Sequence, residues 1–124
     1  MDGANHIVAY LLAMHDTVRL YHWQTKIQAR HVATCQLVET LLPLIDTMVE
    51  TYMGRYQRPH FRGVCVLEIS ELSDEHATEK LQAYGRWLKV DFTNLVKPHD
   101  TDILNIRDEM LSIIHQTLYR FTLL

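Results

Sequence analysis

Two histidines and two carboxylates carry the chemistry this sequence suggests. His22 is followed by Trp23, His31 comes nine residues later, and Asp46 and Glu50 lie four apart further along. Imidazole nitrogens and carboxylate oxygens together suit borderline-to-hard divalent metals, and residues four apart on a helix share one face. Eight histidines in 124 residues is a high count, which directs attention to metal chemistry. His22 and His31 flank a polar stretch that can fold them together. His31 and Asp46 share one helix and are fifteen residues apart, which is about 22 Å at the helical rise. No single metal site in one chain spans that. The two ends meet only if a second copy packs the same helix antiparallel, giving a two-fold dimer with two equivalent sites.

The elements that must position these residues read as helices. Residues 5–23 place Ile7, Tyr10, Leu11, Met14, Val18 and Tyr21 at helical spacing. Residues 25–30 are polar and predict a turn. A second helix over 31–53 carries the stripe Cys35, Val38, Leu42, Ile45, Val49 and Tyr52, with Pro43 in mid-pattern and Gly54 placed as a C-cap. Residues 54–72 hold Gly54, Pro59, Gly63 and three arginines, then the β-leaning run 64–69. That connector is too long for an adjacent hairpin and long enough to travel the length of a bundle. Ser70 or Ser73 is placed to cap a third helix over 74–96, striped by Ala77, Leu81, Tyr84, Leu88, Phe92 and Leu95 and stopped by Pro98. Asp100 or Thr101 opens a fourth, with Ile103, Leu104, Leu111, Ile114, Leu118 and Phe121 inward. Two hairpins joined by one long crossover between helices two and three make an all-α, ferritin-like four-helix bundle, with residues 1–124 as a single domain.

Composition excludes other classes. The net charge is −3 and neither end carries a basic tail, so a nucleic-acid partner is not expected. No uninterrupted apolar run approaches the ~20 residues of a membrane span, and residues 1–6 have no basic segment of the kind that opens an export signal. Cys35 and Cys65 lie apart and read as free thiols in a reducing compartment. Three residues after each glutamate (39, 50, 68, 71, 75, 79 and 109) there is no histidine. The Glu-x-x-His pair of a carboxylate di-iron centre inside one bundle is therefore absent.

The string His22-Trp23, then His31, then Asp46-Thr47-Met48-Val49-Glu50 resembles the Dps miniferritins. Their ferroxidase site lies between subunits and draws on an HW motif, a second His, an acidic residue four later, and a D-x-x-x-E pair. The resemblance implies His22 and His31 as imidazole ligands and Asp46 and Glu50 as the partner subunit's carboxylates. It further implies iron as the metal, ferroxidase activity, and a homo-oligomer extending from a two-fold dimer to a twelve-subunit shell. The stretch from His22 to His31 is a few residues shorter than in that family, and Cys35 stands at the acidic position four after His31. The whole chain, including residues 105–109, resembles small uncharacterised ferritin-like proteins of large DNA viruses. That likeness implies a cytoplasmic or virion location and capsid or virion proteins as partners.

A second reading uses the same residues without metal. His22-Trp23 becomes a helix-end pair with a packed indole, His31 a solvated histidine, and Asp46 with Glu50 an ordinary polar face. Cys35, a soft ligand ill-suited to iron, favours this reading. The chain is then a ferritin-like structural or assembly protein that uses the second helix as its interface. Arg55, Arg58 and Arg62 read as a solvated basic connector, His115 as partly buried, and Trp87 with the tyrosines as packing residues.

Overall fold

The structure is a computed structural model that describes residues 3–124. Four helices form in order: α1 (Gly3–Gln24), α2 (Gln28–Arg55), α3 (Ala77–Arg86) and α4 (Thr101–Arg120). α3 runs on without a break into a π turn (Trp87–Asp91) and a 3-10 turn (Phe92–Leu95). No strand forms among the described residues.

α2 packs between α1 and α4, and α3 packs on α4. α1 meets the α3 segment through aromatic rings: Tyr10 stacks on Trp87 at 3.8 Å between centroids and meets Tyr84 edge-on at 6.0 Å. Going round the bundle the order is α1, α2, α4, α3, and each neighbour runs antiparallel to the next. The core fills from all four, with Leu11, Leu37, Leu41, Met48, Leu88, Phe92, Ile103 and Met110 essentially sealed from water. Each such side chain contributes about 1.5–3 kcal/mol of burial.

Residues 56–76 cross from the end of α2 to the start of α3, lying along α1. Asn5 exchanges two hydrogen bonds with the backbone of His60 (2.8 and 2.7 Å), the Ser70 amide donates to Thr17 Oγ1, and Gln24 donates to Glu71. Arg62 and Gly63 both take positive φ, 52° and 114°, which makes the sharp turn that launches the run 64–69. That run then alternates, with Val64 and Val66 in solvent and Cys65 and Leu67 half-buried. Its β-branched residues favour extended backbone, and here the extended run lies on helices without pairing to another strand.

Several boundaries differ from the sequence reading. The turn after α1 is only residues 25–27, so His31 sits in the first turn of an earlier-starting α2. Gly54 lies within α2 and does not cap it; Tyr56 takes that place. Pro43 also sits inside α2, on its exposed side, where the carbonyl it leaves without a partner can face water. His76, not Ser70 or Ser73, precedes α3, which starts three residues later than expected; the Ser73 carbonyl accepts the amides of His76 and Ala77 in the turn before it. In the π turn the chain widens, and Arg107 of α4 donates to the Leu88 carbonyl and to Thr93 Oγ1.

The largest correction concerns which face of α2 is buried. The core takes Ala33, Thr34, Leu37, Leu41, Ile45, Met48 and Tyr52. Of the predicted stripe only Ile45 and Tyr52 are buried; Cys35, Val38 and Val49 are half-buried and Leu42 is 45% exposed. The cause is that α2 is apolar on two faces, so period alone does not choose between them. By length and composition α2 could cross a membrane, and no other described helix could. In this chain one face of it closes the core.

Candidate metal centre at the α1–α2 turn

The short turn Thr25–Ile27 folds the end of α1 against the start of α2 and brings His22 and His31 into contact. Their rings stack at 4.1 Å between centroids, tilted by only 16°. Each then bonds to the other's backbone: His22 Nδ1 lies 2.9 Å from the His31 carbonyl and 3.1 Å from Thr34 Oγ1, and His31 Nδ1 lies 3.0 Å from the His22 carbonyl. A carbonyl oxygen can only accept. Both Nδ1 atoms therefore carry hydrogen, and in the neutral rings both Nε2 atoms keep their lone pairs. Neither Nε2 has a hydrogen-bond partner among the described residues. A histidine held through Nδ1–H to a carbonyl, with Nε2 open, has the form that metal-ligating histidines take.

Thr34 completes the clamp. It is buried, and its hydroxyl donates to the Arg30 carbonyl at 2.7 Å with the His31 carbonyl at 3.2 Å. Behind the pair stands Asp74, at the end of the crossover. Its Oδ1 accepts from Tyr21 (2.6 Å) and Thr25 (2.7 Å), while Arg30 donates to the Asp74 carbonyl (2.6 Å) and to the Tyr21 hydroxyl (3.1 Å). The Tyr21 and Thr25 hydroxyls hold the Asp74 carboxyl below the usual carboxylate range. Arg30 also lies over the Phe121 ring at 4.6 Å, so α1, α2, the crossover and the residue that follows α4 are tied at this end.

Asp46 and Glu50 are exposed, one turn apart, on the half of α2 that leads away from the histidines. Within one chain the fold does not bring them to His22 and His31. Among the described residues no three His, Cys, Asp or Glu side chains gather closely enough to hold a metal ion. Cys35 is half-buried and its thiol lies 3.6 Å from Glu39 Oε1, to which it donates. Partial burial, the Glu39 charge and that hydrogen bond push the thiol pKa up. In the metal-free chain Cys35 is thus held towards its protonated, less nucleophilic form.

Several apolar side chains stand exposed around the site. Trp23 is 68% exposed, and Ile27, Val32 and Leu42 also face solvent along the turn and the outer side of α2. The indole of Trp23 is therefore not packed within its own chain. Further from the turn, Arg55 is tied to Asp100 at 3.0 Å and is not a free connector cation, and His115 is exposed on α4, not partly buried.

Thr34, Asp74 and Arg30 escaped the sequence reading. Arg30 was placed in a polar turn and Thr34 looked like one more helical residue. Asp74 lies over 40 residues from its partners, and nothing local marks it. His15 was missed as well. It is 3% exposed on α1, with Asp16 at 3.3 Å on Nδ1 and no partner for Nε2 among the described residues.

Residues 22–121 match the model of a family of unknown function (DUF5856). No curated protein and no solved structure matches the chain.

Proposed function

We propose, for this chain that belongs to the DUF5856 family of unknown function, a ferritin-like role: binding and oxidising Fe(II) at a site shared by two copies. The observation that carries the reading is the reciprocal clamp of His22 and His31, which leaves the Nε2 atoms of two imidazoles side by side and unengaged. The antiparallel neighbours and the long crossover along α1 support ferritin-like connectivity. Val32 and Leu42, apolar and exposed on the outer side of α2, support a two-fold pairing in which the histidine end of one copy meets Asp46 and Glu50 of the other.

In that arrangement His22 and His31 bind Fe(II) as borderline nitrogen donors, and Asp46 and Glu50 supply hard oxygens that favour Fe(III). Electrons pass from iron to oxygen or peroxide. A closed twelve-subunit shell, at about 175 kDa from a 14.6 kDa chain, would store the ferric product. The location that fits is the cytoplasm or a virion.

Subunit complementation tests the shared site. His22→Ala with His31→Ala in one chain, and Asp46→Ala with Glu50→Ala in another, should each abolish peroxide-driven Fe(II) oxidation. Unfolded and reassembled as an equal mixture, the two should recover about a quarter of the wild-type rate, because half the dimers are hybrid and each hybrid holds one intact site. Wild-type rates in either variant alone overturn the reading.

One observation favours a metal-free assembly role instead. Cys35 with its proton held towards Glu39 stands where the resemblance calls for a carboxylate. In that case the same α2 surface binds a second copy or a capsid protein, and neither pair of alanines changes anything but assembly. A monomer by light scattering would exclude both the shell and the shared site.

A further inference from the structure

A cavity of about 430 Å³ opens on the opposite side of α1 from α2, between α1, α3 and the crossover. Its size suits a small organic ligand. Ala9 and Ala13, one turn apart on α1, leave the space that larger side chains would fill, and Met14 lies beneath. Tyr10 and Tyr84 form aromatic walls, fixed by the stack of Tyr10 on Trp87 and the edge contact between the tyrosines. The strap from Val66 to Ser70 forms the outer wall, held to α1 by the Ser70 amide on Thr17.

The polar groups at this cavity are uneven. Lys80 is half-buried, its ammonium lies 5.3 Å from the Tyr84 ring centroid, and it pairs with no carboxylate among the described residues. His6 stands at the same opening, its ring 5.9 Å from Trp87. Glu68 is the one acid that lines the cavity, and it is exposed on the strap. A half-buried lysine stem that holds its ammonium at the opening without a carboxylate partner offers a positive charge to an incoming anion. The half-buried Tyr10 ring, with Ala9 and Ala13 beside it, supplies apolar area for a ligand body, and the buried Tyr84 ring backs the ammonium.

We propose that this cavity binds a small amphipathic anion, a carboxylate or sulfonate on a compact aromatic or branched apolar body. The acid group meets Lys80 and the body lies between Tyr10, Tyr84 and the Ala9–Ala13 floor. Glu68 at the rim repels the acid and limits affinity. This site shares no residue with the metal reading and stands or falls separately.

The probes are 8-anilinonaphthalene-1-sulfonate and its uncharged counterpart N-phenyl-1-naphthylamine, followed by probe fluorescence and by energy transfer from Trp87 in a Trp23→Phe background. The sulfonate should bind at one site per chain with transfer from Trp87. Lys80→Met, which keeps the stem against Tyr84, should weaken the sulfonate about tenfold and leave the neutral probe unchanged. Glu68→Gln should tighten the sulfonate, and Ala13→Met should exclude both probes while the melting temperature holds. Sulfonate binding that ignores both Lys80→Met and Ala13→Met places the probe elsewhere and overturns the proposal. So does an absence of sulfonate binding to the wild type, or equal loss of both probes in Lys80→Met.

Discussion

The two ends of the bundle handle their polar groups in opposite ways. At one end Asp100, 4% exposed, accepts from Arg55 Nε at 3.0 Å, from the Lys97 amide at 2.9 Å and from the Tyr56 hydroxyl. Every partner is internal, and the cluster locks the end of α2 to the start of α4. At the other end Asp74 plays the matching structural part for α1, α2 and the crossover. There, however, the histidines beside it face outward with two nitrogens unengaged and an exposed tryptophan next to them. One end is closed and serves stability. The other uses the same kind of carboxylate hub to hold up an outward-facing pair of histidines beside an exposed tryptophan, the surface on which the proposed site rests.

Breaking the closed end should have the largest effect. Asp100→Ala strands the Tyr56 hydroxyl and the Lys97 amide and frees Arg55, so the melting temperature should fall on the order of 10 °C. The acid response sharpens this. Hydrogen bonds from Tyr56 and Lys97, and then Arg55, hold the Asp100 carboxyl at about 2, below its ordinary 3.8. A carboxyl depressed in the folded state contributes its stability above the unfolded value and loses it as pH falls towards the folded one. Wild type should therefore lose stability between about pH 4 and pH 2 more steeply than Asp100→Asn. Parallel melting curves for the two across that range would remove Asp100 as the anchor.

Asp74→Ala ranks next, because it also acts on the open end. It releases Tyr21 and Thr25 at once and loosens the crossover, so a smaller drop in melting temperature is expected. Unlike the Asp100 variant, it should also lower Co(II) affinity at the histidines, since the turn that aligns them loses its anchor. If Co(II) binding is unchanged while stability falls, the hub supports only the fold. The His22→Ala and His31→Ala pair should show the reverse, with Co(II) binding lost and melting within a few degrees of wild type.

How much of this was legible in the sequence follows the same division. Three helical stripes could be read because apolar residues there crowd one face, as with Leu81, Tyr84, Leu88 and Phe92. α2 misled because Val38, Leu42 and Val49 make a second apolar face, and only packing shows that Leu37, Leu41 and Met48 win the core. Spacing offers Asp100 or Thr101 as the residue that opens α4, and Asp100 takes that place. Its carboxylate nonetheless goes to Tyr56 and Arg55 and makes no bond to the α4 amides. Such a choice depends on residues over 40 positions away. His22 and His31 were identifiable by type and spacing. Their carbonyl clamp was not, because it needs a three-residue turn where the stretch 25–30, which carries no apolar stripe, suggests a longer one.

The smallest effect, and the most discriminating, should come from Cys35. It lies one turn after His31 on the same face of α2, with its thiol directed to Glu39. Cys35→Asp places a carboxylate there without touching the core, so melting should stay within a few degrees. Glu39 would then repel the new charge across one helical turn, which Glu39→Gln relieves. If the open end is a metal site shared between copies, Cys35→Asp/Glu39→Gln should bind Co(II) several-fold more tightly than wild type, because the added carboxylate brings a charged oxygen donor to the position where the resemblance calls for one. If that surface serves only assembly, the same double variant adds charge beside an apolar contact and weakens self-association with no gain in metal affinity. The two outcomes move different observables, Co(II) absorbance and solution mass, so one protein preparation separates a metal centre from a bare interface.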